Sequence, residues 1–529
     1  MKKAFLLLLF LPSLLVAQKP KLVVGIVIDQ MRYEMLERYR STFSDSGFAK
    51  LQKEGFSFSN CNYNYIPTYT GPGHATIFSG NNPKNHGIIA NDWYLPEQNK
   101  MMYCVEDNSV TTVGSDNKGG NRSPKNYKSP SIADLVNQNK KSKSFGVSVK
   151  DRGAILPAGK NANGAFWLDK SNNFVSSTFY GKELPKWLTV FNEKQLATKY
   201  TENTWKLSLP AEKYTASDED LRKCEAKPFG QNSVFPYNLK KAAAKNGAGV
   251  IKYTPYGNTL LTDVALELMK NEKLGKDENT DFFSISYSST DYAGHAFGPR
   301  SVEVQDMYIK LDLEIARLIN YLDAEVGEGQ YVLFLTSDHG AVDCPGTATN
   351  PMGYVNSGEV KARIDSICKK EFGRSLVSKV SNYQIWFNRE LVSDLSLEIN
   401  DVAFTVLKKL KEYHNGNIIT QGWTRKELMN CSELTCEQFK RTYKASLSGD
   451  AFFMTAEGYL LSSGNTGTSH GTGYAYDTHV PLLFYGMNVH PGSSNKNVIV
   501  QDIAPTVMDL VKIIPEVKFD GVSRLSVMH

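Results

Sequence analysis

The chain has 529 residues, which is enough for a large hydrophobic core and allows roughly two to four domains. Charged residues make up 22% of the sequence and aromatic residues 11%, proportions that are typical of soluble globular proteins. The formal net charge is +5 and there is no long block of lysine or arginine. The composition therefore gives no reason to expect nucleic acid as a partner.

The N-terminus has the pattern of a secretory signal peptide. Lys2 and Lys3 form a basic start, the segment from Ala4 to Ala17 is apolar, and a small residue precedes Gln18. The apolar part is too short to span a bilayer, and no cysteine follows it that could carry a lipid anchor. A buried first strand or helix is the alternative, and the two terminal lysines disfavour it. We expect residues 1–17 to be removed and residues 18–529 to be periplasmic or secreted, with no membrane span.

Seven cysteines are an odd number for an exported chain. Export permits disulfides, so up to three pairs and one free thiol are expected. Cys431 and Cys436 are close enough in sequence to pair, whereas the other pairings remain open. The other five cysteines are Cys61, Cys104, Cys224, Cys344 and Cys368.

Five short apolar runs, taken in chain order, predict strands that are buried on both faces of a sheet. They span residues 22–28, 145–149, 282–287, 331–336 and 479–485. Segments with helical spacing or helix-start signals separate or follow them, at residues 132–136, 301–326, 398–413 and 502–510. This alternation predicts an α/β protein with a mostly parallel sheet.

Two stretches interrupt the alternation. Residues from about 156 to 257 are rich in Lys, Asn, Tyr and Trp and have weak periodicity. Residues from about 344 to 463 contain a helix and strand-like pieces of their own. We interpret both as cap-like insertions over the strand ends of one catalytic domain, not as linkers.

Acidic and histidine residues stand at the ends of the apolar runs. In an open parallel sheet, ligands and chemistry collect at the carboxyl ends of the strands. Any one of these residues alone is better explained as a helix cap or a satisfied core residue, but packing does not explain the set. The set predicts a two-metal site for phosphoryl transfer, and its members are Asp29, Asp291, His295, Asp338, His339 and, shortly before the last run, His470.

A hydroxyl group precedes a short predicted helix in the segment 67–80. Thr70 is followed by Gly71 and Pro72, and Gly80 closes the segment. A hydroxyl at a helix N-terminus faces free backbone N–H groups and a partial positive charge, which suits a bound phosphate. Taken alone the signal is weak, because a threonine before a helix is usually an N-cap.

These motifs together resemble the alkaline phosphatase superfamily. The resemblance extends from about Lys21 to the segment 520–523 and is weakest in the two insertions. Two branches of that superfamily carry such a threonine and a following asparagine: the nucleotide pyrophosphatase/phosphodiesterases and the PafA-type phosphate-irrepressible alkaline phosphatases. The motifs that carry the resemblance are Thr70-Gly-Pro-Gly-His, Ser79-Gly80, His86-Gly87-Ile88, Asn91, Asp29, Asp291-x3-His295, Asp338-His339-Gly340 and His470-Gly471.

The resemblance implies a three-layer α/β/α core and two Zn²⁺ ions. One zinc would be held by Asp29, Asp338, His339 and the oxygen of Thr70, and the other by Asp291, His295 and His470. Thr70 would be the nucleophile and would form a phosphothreonine intermediate. His74 and His86 would hold the nucleophile loop by hydrogen bonds. His479 is the only rival to His470, which is preferred because a glycine follows it, as in the family.

The segment 147–154 discriminates between the two branches. It places Lys150 and Arg152 two residues apart at the end of a predicted strand. A phosphate monoester carries two negative charges and a diester one, so two cations favour the monoester. A solvated turn is the alternative for this pair. In the PafA-type enzymes the pair and the asparagine that matches Asn91 bind the phosphoryl group, which implies a monoesterase with two zincs and no third metal.

The resulting prediction is an exported alkaline phosphatase, a monomer, that acts on small-molecule phosphate monoesters. A nucleotide phosphodiesterase or pyrophosphatase of the same superfamily is the nearest alternative. A sulfatase is disfavoured because no Cys or Ser lies in a C/S-x-P-x-R pattern, and a phosphomutase is disfavoured by the signal peptide. A binding protein on an inactive enzyme scaffold is disfavoured by the intact ligand set.

Overall fold

The computed structural model describes residues 19–138, 140–412 and 416–528. The predicted signal peptide lies outside the described residues. Within the described ranges, no helix has the length and apolar character needed to cross a bilayer.

The chain forms many short strands. They are β1 Leu22–Ile28, β2 Phe56–Asn62, β3 Asp92–Leu95, β4 Lys100–Tyr103, β5 Thr112–Val113, β6 Ser144–Ser148, β7 Gly164–Leu168, β8 Phe174–Ser177, β9 Thr204–Trp205, β10 Tyr237–Asn238, β11 Asp281–Tyr287, β12 Tyr331–Thr336, β13 Tyr354–Asn356, β14 Val377–Ser381, β15 Gln384–Phe387, β16 Ile419–Thr424, β17 Ala451–Thr455, β18 Leu460–Ser462, β19 His479–Gly486, β20 Gly492–Ser494 and β21 Val498–Ile499.

Helices lie between the strands for most of the chain. They are α1 Glu34–Arg38, α2 Phe48–Glu54, α3 Thr70–Ser79, α4 Pro83–His86, α5 Ile132–Val136, α6 Asp151–Ala158, α7 Lys186–Glu193, α8 Leu196–Thr201, α9 Leu239–Asn246, α10 Pro255–Glu272, α11 Ser289–Phe297, α12 Val302–Leu322, α13 Ser357–Phe372, α14 Arg389–Asp394, α15 Ile399–Lys411, α16 Arg425–Asn430, α17 Leu434–Thr442, α18 Ala475–Thr478 and α19 Ile503–Leu510.

A large central sheet organises the fold, in the order β20-β2-β19-β12-β1-β11-β6-β7-β8-β5, with β21 beside β2. The strands from β12 to β7 in this order run parallel to one another. Strand β19 is antiparallel to both β12 and β2. The predicted α/β class with a mostly parallel sheet is therefore confirmed.

Side chains of β1 show why the sheet is covered on both faces. Val24 and Ile26 belong to a core cluster that includes apolar residues of α10 and α12. Val23 and Val27 belong to a second cluster that includes residues of α3, α5 and α19. Because side chains alternate along a strand, an uninterrupted apolar run needs an apolar layer on each side. The result is the predicted three-layer α/β/α core.

The predicted helix starts agree with the structure where capping residues are present. The Ser131 side chain accepts from the Asp134 backbone, and Asp134 accepts in return, so α5 begins with a capping box. The Ser301 side chain caps α12. The predicted helix 301–326 ends earlier as an α-helix, at Leu322, and continues as one π-helical turn, Asp323–Gly327.

The two predicted insertions differ in how they join the core. Within the first stretch, β7 and β8 extend the central sheet. Within the second, β14, β15, β17 and β16 form a separate four-stranded sheet with its own apolar cluster. The domain boundaries at about 156–257 and 344–463 remain a proposal.

Two disulfides lie within the part of the chain that the structure describes. Cys431 pairs with Cys436, as their spacing predicted, and Cys224 pairs with Cys344, a pairing that the sequence left open. Cys61, Cys104 and Cys368 are free and buried.

Candidate active site

The ends of β1 and β12 bring three predicted metal ligands together. Asp29 follows β1, and Asp338 and His339 follow β12 shortly after its last residue. The two strands are parallel and in register, with Val27 opposite Thr336, so they end side by side. One ligand atom from each of the three side chains lies within 4.8 Å of the others, and all three are fully buried. We call this group the strand-end cluster.

A second cluster combines a helix and a loop. Asp291 and His295 lie one turn apart on α11, and His470 comes from the loop that precedes α18 and β19. The His295 Nε2 atom is 3.1 Å from Asp291 Oδ1, and the His470 Nε2 atom is 3.8 Å from the same oxygen. Since β19 is antiparallel to β12, it begins at the edge where the parallel strands end, which brings the loop to the site. We call this group the loop cluster.

Backbone carbonyls fix the tautomer of each histidine in the clusters. The Nδ1 atom lies 2.7 Å from Thr468 O in His295, 2.9 Å from Gly340 O in His339, and 2.7 Å from Thr68 O in His470. A carbonyl oxygen can only accept, so each Nδ1 carries the proton. Each Nε2 therefore faces its cluster, where a neutral ring would offer its lone pair to a metal ion, as in metal-ligating histidines.

The charges of the strand-end cluster fit a cation. Asp29 Oδ1 and Asp338 Oδ2 are buried and make no hydrogen bond. Burial, followed by the Asp291 and Asp338 carboxylates, raises the pKa of Asp29 well above its ordinary value. A cation would satisfy both oxygens and offset the repulsion.

Mixed carboxylate and imidazole donors are a set that zinc accepts. A third group of closely spaced side chains, Cys431, Glu433 and Cys436, is different. Its two cysteines form a disulfide and carry no free thiolate, so this group is not a metal site.

Thr70 is the first residue of α3 and is almost fully buried. Tyr69 holds the N-cap position, so the Thr70 hydroxyl is not used as a helix cap. Its Oγ1 atom lies 3.3 Å from His339 Nε2 and 3.4 Å from Arg152 Nη2. The hydroxyl thus faces the strand-end cluster on one side and a guanidinium on the other.

The two cations predicted after β6 reach the site by different routes. Lys150 is buried, and its Nζ atom lies 2.7 Å from Asp29 Oδ2 and 2.5 Å from Asp291 Oδ2, between the two clusters. Burial lowers the pKa of Lys150, but the two carboxylates raise it by more, so that the net pKa lies above its ordinary value. Arg152 faces Thr70. The structure therefore places both cations at the site, with distinct partners.

Asn91 contacts the N-terminus of α3. Its Oδ1 atom accepts a 2.7 Å hydrogen bond from the Gly71 backbone N–H. A side chain on Gly71 would approach Asn91, Cys104 and the Ala90 carbonyl, with Oδ1 of Asn91 3.1 Å away. The close approach explains why a glycine follows Thr70.

Three further histidines lie outside the two clusters and have different contacts. His74 Nδ1 donates to the Thr70 carbonyl at 2.9 Å, and His86 Nε2 lies 3.0 Å from Thr76 Oγ1, so both support α3 as expected. His479 Nε2 instead lies 2.9 Å from Ser59 O, and its ring stacks on Tyr33. His470, and not His479, joins the loop cluster.

Several residues that touch the site gave no signal in the sequence. Gln30 has a positive φ of 67° and joins the two clusters: its backbone N–H donates to Asp338 Oδ1 at 3.2 Å and its side chain to Asp291 Oδ1 at 2.8 Å. Asp477 accepts from the backbone N–H groups of Gly471 and Thr472. Neither residue belongs to a sequence motif, and only the contacts of the folded chain place them at the site.

Arg152 has a support of its own. Its Nη1 atom donates to the Tyr103 hydroxyl at 3.1 Å, and Tyr103 donates to Asp151 Oδ1. Arg122 donates to the other oxygen of Asp151 at 2.9 Å. In the sequence, the one sign of this hydrogen-bond network is that Asp151 lies between Lys150 and Arg152.

Two ligand clusters beside a helix-terminal hydroxyl, at the carboxyl edge of a three-layer α/β sheet, define a metal-dependent phosphoryl-transfer enzyme. A family model for type I phosphodiesterase / nucleotide pyrophosphatase matches residues 23–472, and the chain belongs to this family.

Within that family the chain is similar to alkaline phosphatases along nearly its whole length. It is 38% identical to alkaline phosphatase PafA of Elizabethkingia meningoseptica, over 97% of this chain and 96% of that protein. It is 39% identical to alkaline phosphatase PhoV of Synechococcus elongatus, over 94% of this chain and 90% of that protein. A crystal structure of wild-type alkaline phosphatase PafA matches with a TM-score of 0.91 at 37% identity, covering 97% of this chain and 99% of that one. The resemblance predicted from the motifs is confirmed.

Proposed function

We infer that the chain is an alkaline phosphatase that hydrolyses phosphate monoesters, and we propose that it uses two zinc ions and Thr70 as the nucleophile. The enzyme class rests on the relationship to PafA and PhoV. The observation that carries the finer proposal is the convergence of two ligand clusters and two cations on one buried hydroxyl.

The proposed zinc ligands are the side chains of the two clusters. Asp29, Asp338 and His339 would hold one ion together with the Thr70 oxygen. Asp291, His295 and His470 would hold the other, and three protein ligands leave a position open for substrate or water. When bound, zinc supplies a Lewis acid that lowers the pKa of an attacking hydroxyl and offsets charge on a departing oxygen.

Thr70 is suited to act as the nucleophile because its backbone is held rigidly. The His74 ring binds the Thr70 carbonyl, and the Asn91 side chain accepts from the Gly71 N–H, so the first turn of α3 is held on both sides of the hydroxyl. In the proposed reaction the Thr70 oxygen forms a bond to phosphorus as the bond to the leaving alcohol breaks. A phosphothreonine results, and water then hydrolyses it to inorganic phosphate and free Thr70.

Asn91, Lys150 and Arg152 would bind the transferred phosphoryl group. The Asn91 oxygen is occupied by the Gly71 N–H, so its amide N–H groups are the donors left for an anionic oxygen. The two positive charges neutralise both negative charges of a monoester dianion, whereas a diester monoanion has only one negative charge to pair with them.

A nucleotide phosphodiesterase is the alternative, and the family description includes that activity. A single comparison separates them: kcat/KM for an aryl phosphate monoester and for the matching methyl diester. We expect the monoester to be the better substrate by several orders of magnitude. Activity should disappear on treatment with a chelator and return with Zn²⁺ more completely than with Mg²⁺. A preference for the diester would overturn the monoesterase proposal, and restoration by Mg²⁺ alone would overturn the zinc assignment.

We also propose that the enzyme is periplasmic or secreted, after removal of residues 1–17, and that it acts as a monomer. The two disulfides support an oxidising compartment, since such bonds persist outside the cytosol. N-terminal sequencing of the exported protein and its mass in solution test these points.

A further inference from the structure

The disulfide between Cys224 and Cys344 lies beside the loop cluster. It joins segments that are 120 residues apart in sequence, and both cysteines are buried. Cys224 belongs to the first predicted insertion, and Cys344 comes shortly after His339. The bond therefore connects the two predicted insertions next to the site.

The segment around Cys224 binds the C-terminal end of α11, the helix that carries His295. The Ala226 N–H donates to the Ala296 carbonyl at 2.8 Å, and the Arg222 guanidinium donates to the Phe297 carbonyl. On its other side, the Cys224 carbonyl accepts from the Gly467 N–H. One short segment thus contacts both the helix of His295 and the loop of His470.

The segment before Cys344 binds the same loop. Val342 accepts from the Thr468 hydroxyl at 2.6 Å through its carbonyl, and its N–H donates to Ser469 O at 3.2 Å. Thr468 is also bonded twice to His295: its N–H donates to the His295 carbonyl at 2.9 Å, and its carbonyl accepts from the His295 ring at 2.7 Å. The loop 467–470 is consequently held between the two segments that the disulfide joins.

The strand-end cluster has a different support. Asp29 and Asp338 follow neighbouring strands whose hydrogen-bonded register fixes their separation, and both are fully buried. In the loop cluster, the His295 side chain is 36% exposed and His470 lies on irregular backbone. Only tertiary contacts set the distance of His470 from the two ligands on α11, so a cross-link that limits loop motion matters more there.

We propose that the Cys224–Cys344 disulfide is a positioning element for the loop cluster, which it holds ready for its metal ion. The inference rests on the proposed metal function of Asp291, His295 and His470. Supports that orient metal ligands typically change metal affinity by about 10- to 100-fold when they are removed. We therefore expect the loss to fall on one of the two ions.

The test compares two double variants of the zinc-loaded enzyme. Cys224→Ser/Cys344→Ser removes the proposed support, and Cys431→Ser/Cys436→Ser removes the other disulfide as a matched control. The measurements are zinc bound per chain and the rate at which each ion passes to a coloured chelator. We expect one ion to leave at least about tenfold faster in the first variant only. Wild-type release rates for both ions in that variant would overturn the inference, as would equal acceleration of both ions.

A second measurement covers the case in which the first variant does not fold. In the Cys431→Ser/Cys436→Ser protein, Cys224–Cys344 is the remaining disulfide, because the other three cysteines are free. Reduction of this folded protein by a water-soluble phosphine should accelerate release of one ion, and reoxidation should reverse the change. An unchanged rate after reduction, verified by mass spectrometry, would contradict the inference. A wild-type chain that binds fewer than two ions would instead overturn the proposed function on which the inference rests.

Discussion

His339 and His470 stack face to face, with ring centroids 3.5 Å apart and planes inclined by 13°. One ring belongs to the strand-end cluster and the other to the loop cluster, so the two clusters are immediate neighbours. Burial lowers the pKa of His470 well below its ordinary value, and the neighbouring His339 and His295 lower it further. Burial likewise lowers the pKa of His339. Both rings are held neutral, which is the state that a metal ligand requires.

The first prediction concerns the identity of the last ligand. His470→Ala should lose one of two zinc ions and most phosphatase activity, because its Nε2 completes the loop cluster. His479→Ala is the matched control, since that ring binds Ser59 O and stacks on Tyr33. Elemental analysis and activity assays on both variants decide the matter. Retained metal in His470→Ala together with loss in His479→Ala would reverse the assignment.

Thr70→Ala should reduce monoester hydrolysis by about 10³-fold or more, because it removes the oxygen that is proposed to attack phosphorus. Zinc content and thermal stability should stay nearly unchanged, since Asp29, Asp338 and His339 remain. Thr70→Ser, which keeps the hydroxyl, is the matched control and should keep substantial activity. Trapping of the phosphoenzyme by acid quench should give phosphothreonine at position 70. Phosphate on another residue would contradict the prediction.

The third prediction concerns the two cations. The Lys150→Ala/Arg152→Ala double variant should lose far more activity on a monoester than on a diester. Each lost charge-assisted contact is expected to raise the barrier for the monoester by about 2–4 kcal/mol. The measurement is kcat/KM for both substrates in the wild type and the double variant. Equal losses on the two substrates would make the pair structural and remove the main support for monoester selectivity.

Tyr103→Phe should weaken catalysis through Arg152. The tyrosine hydroxyl accepts from the Arg152 guanidinium and donates to Asp151, so its removal frees the guanidinium next to Thr70. A hydrogen bond to a charged group contributes about 1.5–3 kcal/mol, which corresponds to a fall in kcat/KM of roughly tenfold or more.

The matched control for that variant is Tyr94→Phe on the neighbouring strand, whose hydroxyl binds Asn99 away from Arg152. It should leave kcat/KM nearly unchanged. The Tyr103→Phe loss should also shrink when it is made in an Arg152→Ala background, since the tyrosine acts through that residue. Additive losses would mean that Tyr103 acts by another route.

The fifth prediction concerns stability in acid. Burial lowers the pKa of His86 to about 3. The Ile88 N–H donates to its Nδ1 at 3.1 Å, so a proton there would break that bond. The folded pKa lies below the value of about 6.5 in the unfolded chain. The stabilisation is therefore complete above pH 6.5 and is lost progressively as the pH falls toward 3.

His86→Asn should remove this part of the pH dependence. Urea unfolding between pH 4.5 and 6.5 should give a steeper loss of unfolding free energy in the wild type, by up to about 1.4 kcal/mol per pH unit. Groups that titrate in both proteins cancel in the difference. Parallel curves for the two proteins would show that His86 is not held neutral.

Much of the strand-end cluster could be predicted from the sequence, and the reason is local. The apolar runs 23–28 and 332–336 predict doubly buried strands, and Asp29 and Asp338 follow these strands closely. Neighbouring parallel strands that share a register must end together, so their polar ends meet. The apolar runs therefore determined both the fold class and the edge at which the chemistry lies.

The tertiary structure alone decided the rest. The spacing of the residues does not show that β19 runs antiparallel to β12, the direction that brings the His470 loop to the loop cluster. The choice of His470 over His479 came from the family resemblance and not from this geometry. The contacts of Gln30, Tyr103 and the Cys224–Cys344 pair join segments that are far apart in sequence. Such contacts depend on how loops cross the sheet edge. Strands and helices can be predicted from a sequence because they have a hydrophobic period and a regular hydrogen-bonding pattern, and loops have neither.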